Sequence, residues 1–164
     1  MDSNKNKKYN KREIRFSHLL HTILPISFIF LWVLDSRVLY LTVFLNLYVP
    51  FILRVILFVV FLISALIIMG ISYKTLFSKN KPSPTLITGG ILKYVRNPMY
   101  FGILLIYVAF LCFSISLLSI AYFVIVFLVY NKMVNYEENK LEELFKEDYL
   151  KYKKNVPKWI PKLI

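Results

Sequence analysis

The sequence predicts an all-α, polytopic integral membrane protein, with four membrane-spanning helices and an amphipathic helix at the cytoplasmic interface. Three observations carry that expectation. Hydrophobic residues fill 58% of the 164 positions, against roughly 45–50% in soluble domains, and they gather in long runs. Almost all Lys and Arg residues flank those runs, the pattern of membrane proteins. Six of them precede the first run, five lie in the central connection, eight follow the last run, and Arg37 stands apart. Both termini and the central connection are therefore expected in the cytoplasm, and an even number of spans is what such ends require.

Residues 1–16 form the basic cytoplasmic segment, with Lys5, Lys7, Lys8, Lys11, Arg12 and Arg15. The first span, about 17–34, follows them as a signal peptide's apolar region would. It reads as an uncleaved span, because no small-residue cleavage pattern follows and Asp35-Ser36-Arg37 come next. Pro25 should kink it. The connection from Asp35 to Tyr48 carries little charge and is expected at the far interface before Pro50 opens the second span, 51–73. Arg54, near the start of that span, is expected to extend toward the headgroups. The cytoplasmic loop 74–97 is punctuated by Pro82, Pro84 and Gly89-Gly90. The uncharged run from Phe101 to Tyr130 is too long for one span, since 30 helical residues reach about 45 Å. Ser114, Ser116 and Ser119 mark a turn between spans at 98–113 and 116–130. Residues 131–164 are expected to form the amphipathic helix and tail that complete the site.

The basic balance of +12 is explained by this flanking pattern, so no nucleic-acid partner is expected. The single cysteine, Cys112, leaves no pair for a disulfide within the chain and no cysteine metal cluster. His18 and His21 lie three apart, a possible metal spacing, but no third ligand accompanies them and they read as interfacial packing. Gly89-Gly90 lacks the strand and helix context of a phosphate-binding loop.

Two constellations can carry chemistry. In Arg96-Asn97-Pro98-Met99-Tyr100, Asn97 suits an N-cap and Pro98 the first helical position, leaving free N–H groups suited to an anion such as a carboxylate. The second is Glu137-Glu138, set beside an apolar stripe of Val134, Leu141, Leu144, Phe145, Tyr149 and Tyr152 at helical spacing. The plain alternatives are an ordinary helix start and a solvated first turn.

With these motifs the sequence resembles the isoprenylcysteine carboxyl methyltransferases and the related phospholipid methyltransferases. The similar part runs from Thr85-Leu86-Ile87-Thr88-Gly89-Gly90 through Tyr94-Val95-Arg96-Asn97-Pro98-Met99-Tyr100-Phe101-Gly102 to Glu137-Glu138, and ends with Leu141, Phe145, Tyr149, Tyr152 and Val156-Pro157. The resemblance implies an S-adenosylmethionine-dependent methyltransferase without a metal. Its cofactor would be bound by Thr85, Leu86, Ile87, Asn97, Pro98, Met99, Tyr100, Glu137 and Glu138, with Arg96 and Glu137 catalytic. The implied acceptor is lipophilic, most of all the carboxylate of a prenylated, isoprenylcysteine-like substrate, with a phospholipid amine as the alternative and membrane lipids as surroundings. Departures from the family pattern are Asn97 for a usual His, Leu92 for a common Tyr, Lys146 for the Gly that usually follows Phe145, and Asn131, Lys132 and Asn135 for frequent arginines. A non-catalytic scaffold or small transporter is the competing class, although a transporter should carry intramembrane polar groups and the third and fourth spans offer only serines. A nicotinamide-dependent reductase is a third, because sterol reductases look similar in the carboxyl-terminal half.

Overall fold

The computed structural model describes residues 19–77 and 85–161; the expected basic segment 1–16, His18, residues 78–84 of the central loop and residues 162–164 lie outside them. Every regular element among the described residues is helical. Helix α1 spans Leu19–Leu39, α2 Phe51–Leu76, α3 Pro98–Phe113 and α4 Leu117–Asn155, with short 3-10 turns at Phe44–Leu47 and Gly90–Lys93.

α1, α2 and α4 are each long and apolar enough to cross a membrane, while α3 is a shorter apolar helix of 16 residues. α2 buries only Ala65 and Ser72 and exposes Ile52, Ile56, Val60, Ile63 and Ile67 along its length. A helix apolar on all sides and so exposed fits a lipid environment. α3 packs chiefly against α2. Gly102 allows that approach: a Cβ there would lie 2.5 Å from Met69 Cγ and 3.2 Å from the Ala65 carbonyl. Close contact through small residues is the means by which apolar helices associate where water supplies no driving force. Leu24, Phe28 and Trp32 of α1 join Leu104 and Tyr107 of α3 and Val126 and Tyr130 of α4 in the central core.

The end of the bundle away from the central loop is closed by polar groups. Asp35 is fully buried in a π-helical last turn of α1, Leu34–Leu39. Its carboxylate accepts from the Thr42 backbone N–H at 3.1 Å, Thr42 Oγ1 at 2.5 Å and Ser116 Oγ at 2.5 Å. Ser114 Oγ donates to Ser36 Oγ at 2.8 Å, and the Ile115 N–H donates to Asn46 Oδ1 at 2.9 Å. The serine cluster does break the chain here: α3 ends at Phe113, and Ser116 caps α4 by accepting from the Ser119 N–H at 3.0 Å. Arg54 differs from the sequence expectation. Its Nη1 donates to the Phe113 carbonyl at 3.0 Å, satisfying an orphan acceptor at the α3 C-terminus, where a cation also meets the negative end of the helix dipole.

A larger departure concerns the amphipathic helix expected to begin at residue 131. α4 continues without a break past Tyr130 as far as Phe145. At 1.5 Å per residue, residues 117–145 extend about 44 Å, well beyond a bilayer core of about 30 Å. The change from apolar to charged composition at Asn131 alters the surroundings and not the backbone, since neither Gly nor Pro occurs between Leu117 and Asn155. The interruption comes at Lys146, with φ 46° and ψ −118°.

Candidate functional site

A pocket of about 720 Å³ opens where α1, α3, α4 and the central loop meet. That volume lies within the range of about 300–1,000 Å³ typical of small-molecule sites. Its lining is mixed. Leu76, Leu86, Ile87, Met99, Ile103 and Ile106 supply apolar surface, and His21, Tyr100, Tyr107, Tyr130 and Glu137 aromatic and polar surface. Thr85, Leu86, Ile87, Arg96, Asn97, Pro98, Met99, Tyr100 and Glu137 all line it, so the geometry brings together every site residue expected from the sequence except Glu138.

The two neighbouring acids have different surroundings. Glu138 is 3% exposed and forms a two-pronged ion pair with Arg96, Nε to Oε1 at 3.0 Å and Nη2 to Oε2 at 3.2 Å. Arg96 Nη1 donates to the carbonyls of Lys153 at 2.7 Å and Val156 at 2.8 Å, and its backbone N–H to the Pro157 carbonyl at 2.9 Å. Arg96 thus ties the loop before α3 to α4 and to the chain that follows it. Asn97 stands at the N-cap position but makes no side-chain cap; its Nδ2 donates to Glu138 Oε1 at 2.8 Å. An acid so close draws the amide away from the helix end, because a charge-assisted bond outweighs a neutral cap.

Glu137 faces the pocket, where Tyr100 Oη donates to its Oε1. Partial loss of water at the pocket wall pushes this carboxyl above its ordinary value although Glu137 remains exposed to the open pocket, and the Tyr100 bond pulls it back in part. The Tyr100 ring lies 5.8 Å from that of Tyr130, and His21 lies 5.4 Å from each. His21 was read from the sequence as interfacial packing; the fold instead puts it in the pocket wall. Only the contact of α1 with α3 and α4 reveals this, and no local motif signals it.

Beyond the kink at Lys146 the chain folds back over the site. Tyr149 is 1% exposed and Tyr152 Oη donates to the Leu92 carbonyl at 2.7 Å. Burial, opposed by Arg96 and aided by Glu138, pushes the Tyr152 phenol up to about 12, so it remains a donor at physiological pH. Lys158 Nζ donates to Asn131 Oδ1 at 2.5 Å and Asn135 Oδ1 at 2.7 Å. Burial holds that ammonium below the usual lysine value, with Glu138 opposing and the positive Arg96 and Lys153 adding to the effect. Asn131 and Asn135 thus tether the tail, and neither lines the pocket.

The phospholipid methyltransferase family matches residues 47–148, more than half of the chain. A relative, protein-S-isoprenylcysteine O-methyltransferase B of Arabidopsis thaliana, is 31% identical over 102 residues, which cover 60% of this chain and 51% of the relative. The chain thus spans about half the length of that curated relative. No solved structure gives a significant match. The chain belongs to the phospholipid methyltransferase family.

Proposed function

We propose that this member of the phospholipid methyltransferase family moves a methyl group from S-adenosylmethionine to a lipophilic acceptor, the carboxylate of an isoprenylcysteine-like substrate. One observation carries the reading. The motif residues, distant in sequence, line a single pocket whose surface combines a carboxyl with many apolar side chains. The donor set suits a cationic nucleoside. Glu137 can meet a cation or ribose hydroxyls, the loop backbone at Thr85 to Ile87 can meet a purine edge, and the first turn of α3 can take a carboxylate. The name of the Arabidopsis relative supports the acceptor class.

Bound there, the donor supplies an electrophilic methyl carbon. Transfer to a carboxylate oxygen would exchange the C–S bond for a C–O bond, leave the electron pair on sulfur and release no proton. The chain's contribution is to orient the two partners and keep water out, which suits a reaction whose leaving group is already good. Arg96 and Glu138 act at a distance in this scheme, holding the loop and the end of α4 in place. Four spans, with both termini and the central loop in the cytoplasm, would let the acceptor enter sideways from the bilayer while the donor comes from the cytoplasm.

A second reading, methylation of a phospholipid amine, is favoured by Glu137 itself, a carboxyl of raised pKa that could accept the proton an amine must lose. Binding of S-adenosylmethionine to detergent-solubilised protein, followed by methyl incorporation into micellar acceptors, tests both. The expected result is transfer to a prenylated thiol acid and none to its analogue without the lipid tail. Failure to bind the donor would overturn the methyltransferase reading, and equal turnover of the tail-less analogue would overturn lateral entry.

A further inference from the structure

The tail after the kink brings one lysine to the membrane boundary without an acid to meet it. α4 fixes the level. Its uncharged stretch ends at Tyr130, and the polar Asn131 follows. Lys158 Nζ donates to Asn131 Oδ1 and, one turn on, to Asn135 Oδ1. The neighbouring Trp159 Nε1 donates to the same Asn131 oxygen at 3.3 Å, and its ring packs 5.6 Å from that of Phe127 inside the apolar stretch. An indole bonded to a polar group at one end and set against an apolar helix at the other belongs at the headgroup level. Ile160 beside it is 76% exposed. The two amides orient the Lys158 ammonium but do not neutralise it, and they use two of its three N–H groups. The charged groups that act on it are Glu138, Arg96 and Lys153. Glu138 is already paired with Arg96, and Lys153 with Glu142. Among the described residues Lys158 forms no ion pair.

We infer that Lys158, with Trp159 and Ile160, is a docking site for the phosphate of an anionic phospholipid, and that the lipid held there tightens the donor pocket. A half-buried cation fixed by amides at headgroup level is complementary to such a phosphate. The lipid contact goes beyond the methyltransferase reading; only its effect on the donor rests on that reading. The route to the pocket is short. The Lys158 carbonyl accepts from Asn97 Nδ2 at 3.4 Å, and the preceding Val156 and Pro157 carbonyls accept from Arg96. Asn97 and Arg96 both line the pocket. A lipid that binds only the docked tail favours the arrangement in which this wall is complete, and donor binding gains by linkage.

The test uses the full-length protein in bilayer discs of phosphatidylcholine, with and without phosphatidylglycerol. Phosphatidylglycerol should tighten S-adenosylmethionine binding about fivefold, as expected for one lysine at an anionic surface. Mass spectrometry of intact complexes released from mixed discs should show phosphatidylglycerol retained in preference to phosphatidylcholine. Lys158→Gln should lose both effects, and Lys158→Arg should keep both. Lys154→Gln makes the same change of charge at an exposed position and should also keep both. Inorganic phosphate added to phosphatidylcholine discs should not replace the lipid, because it lacks the chains that the apolar surface at Ile160 would meet. Equal losses in Lys154→Gln would overturn the site by marking a general attraction of the basic tail. Weaker donor binding in Lys158→Gln with the lipid response intact would overturn it by marking a tether alone, and tightening by inorganic phosphate would overturn the lipid as the occupant. Absence of donor binding in every disc would overturn the methyltransferase reading instead, while the retained lipid in wild type and Lys158→Gln would still decide the contact at Lys158.

Discussion

The two ends of the helix bundle are built from similar polar material and have opposite characters. At one end the Asp35 carboxylate accepts three hydrogen bonds, from Thr42 and Ser116, and neighbouring serines and Asn46 bond one another. At the other end Glu138 is equally well satisfied by Arg96 and Asn97, but the next residue, Glu137, borders an open pocket with one phenol for a partner. A buried acid is therefore not by itself a mark of function. What distinguishes the ends is unspent bonding capacity beside an open space.

The largest effect should come from separating structure from binding at the pocket end. Arg96→Ala leaves Glu138 buried without its counter-charge, and breaking such a pair costs about 3–5 kcal/mol. Thermal unfolding in detergent should show a large loss of stability, and donor binding should fall with it because the chain beyond Lys146 is no longer tied to the loop. Asp35→Asn at the other end should cost less, about 1–3 kcal/mol from imperfect satisfaction of its donors, and leave donor affinity unchanged. A loss of donor affinity in Asp35→Asn at a temperature where the protein is folded would break the distinction between the two ends.

A smaller and more specific effect is expected at Glu137. Its carboxyl is raised by partial desolvation at the pocket wall and lowered in part by Tyr100. A cationic donor prefers the ionised form, so affinity should be full at pH above the raised pKa and should fall as pH drops through it. That fall comes at higher pH than for an ordinary glutamate, near 4.3. Tyr100→Phe removes the lowering bond and should move the midpoint upward. Glu137→Gln should abolish the transition and weaken binding about tenfold or more through loss of a charge-assisted contact. In the empty protein the sign is reversed. A raised pKa stabilises the fold while Glu137 is protonated, and that contribution is lost as pH rises through the folded value. Donor titrations and unfolding measured across the same pH range should therefore run in opposite directions.

Much of this arrangement could be read from the sequence because its signals are local. Pro98 starts α3 as expected, and Ser114 and Ser116 separate α3 from α4, since proline and serine constrain the backbone at their own positions. The motif residues from Thr85 to Tyr100 and Glu137 could be expected to share a site from family resemblance. The roles within the pair of acids were not legible. One residue turns a helix by about 100°, and which acid meets the pocket depends on the placement of Arg96. His21 was missed for a related reason, because its partners Tyr100 and Tyr130 lie far along the chain. The continuity of α4 past Tyr130 was missed because a change in composition resembles a boundary even where nothing breaks the helix.

The smallest predicted effect concerns Lys146, where the sequence departs from the family pattern and the fold gives a reason for that pattern. Its φ of 46° with ψ of −118° matches the first central position of a type II′ turn, which favours glycine because a Cβ crowds the backbone there. The kink redirects the chain so that Tyr149 and Tyr152 pack back toward the pocket and the loop carbonyl at Leu92. A lysine retains the kink at a cost, since strained non-glycine conformations carry about 1–3 kcal/mol. Glycine offsets part of that gain by the greater freedom it gives the unfolded chain. Lys146→Gly should therefore raise stability by about 1 kcal/mol, read as a higher thermal midpoint. Lys146→Ala, which keeps the Cβ, should give no such rise, so equal stabilisation by alanine would locate the effect in the lysine's charge or length. Donor affinity should be unchanged in both variants, because Lys146 does not line the pocket.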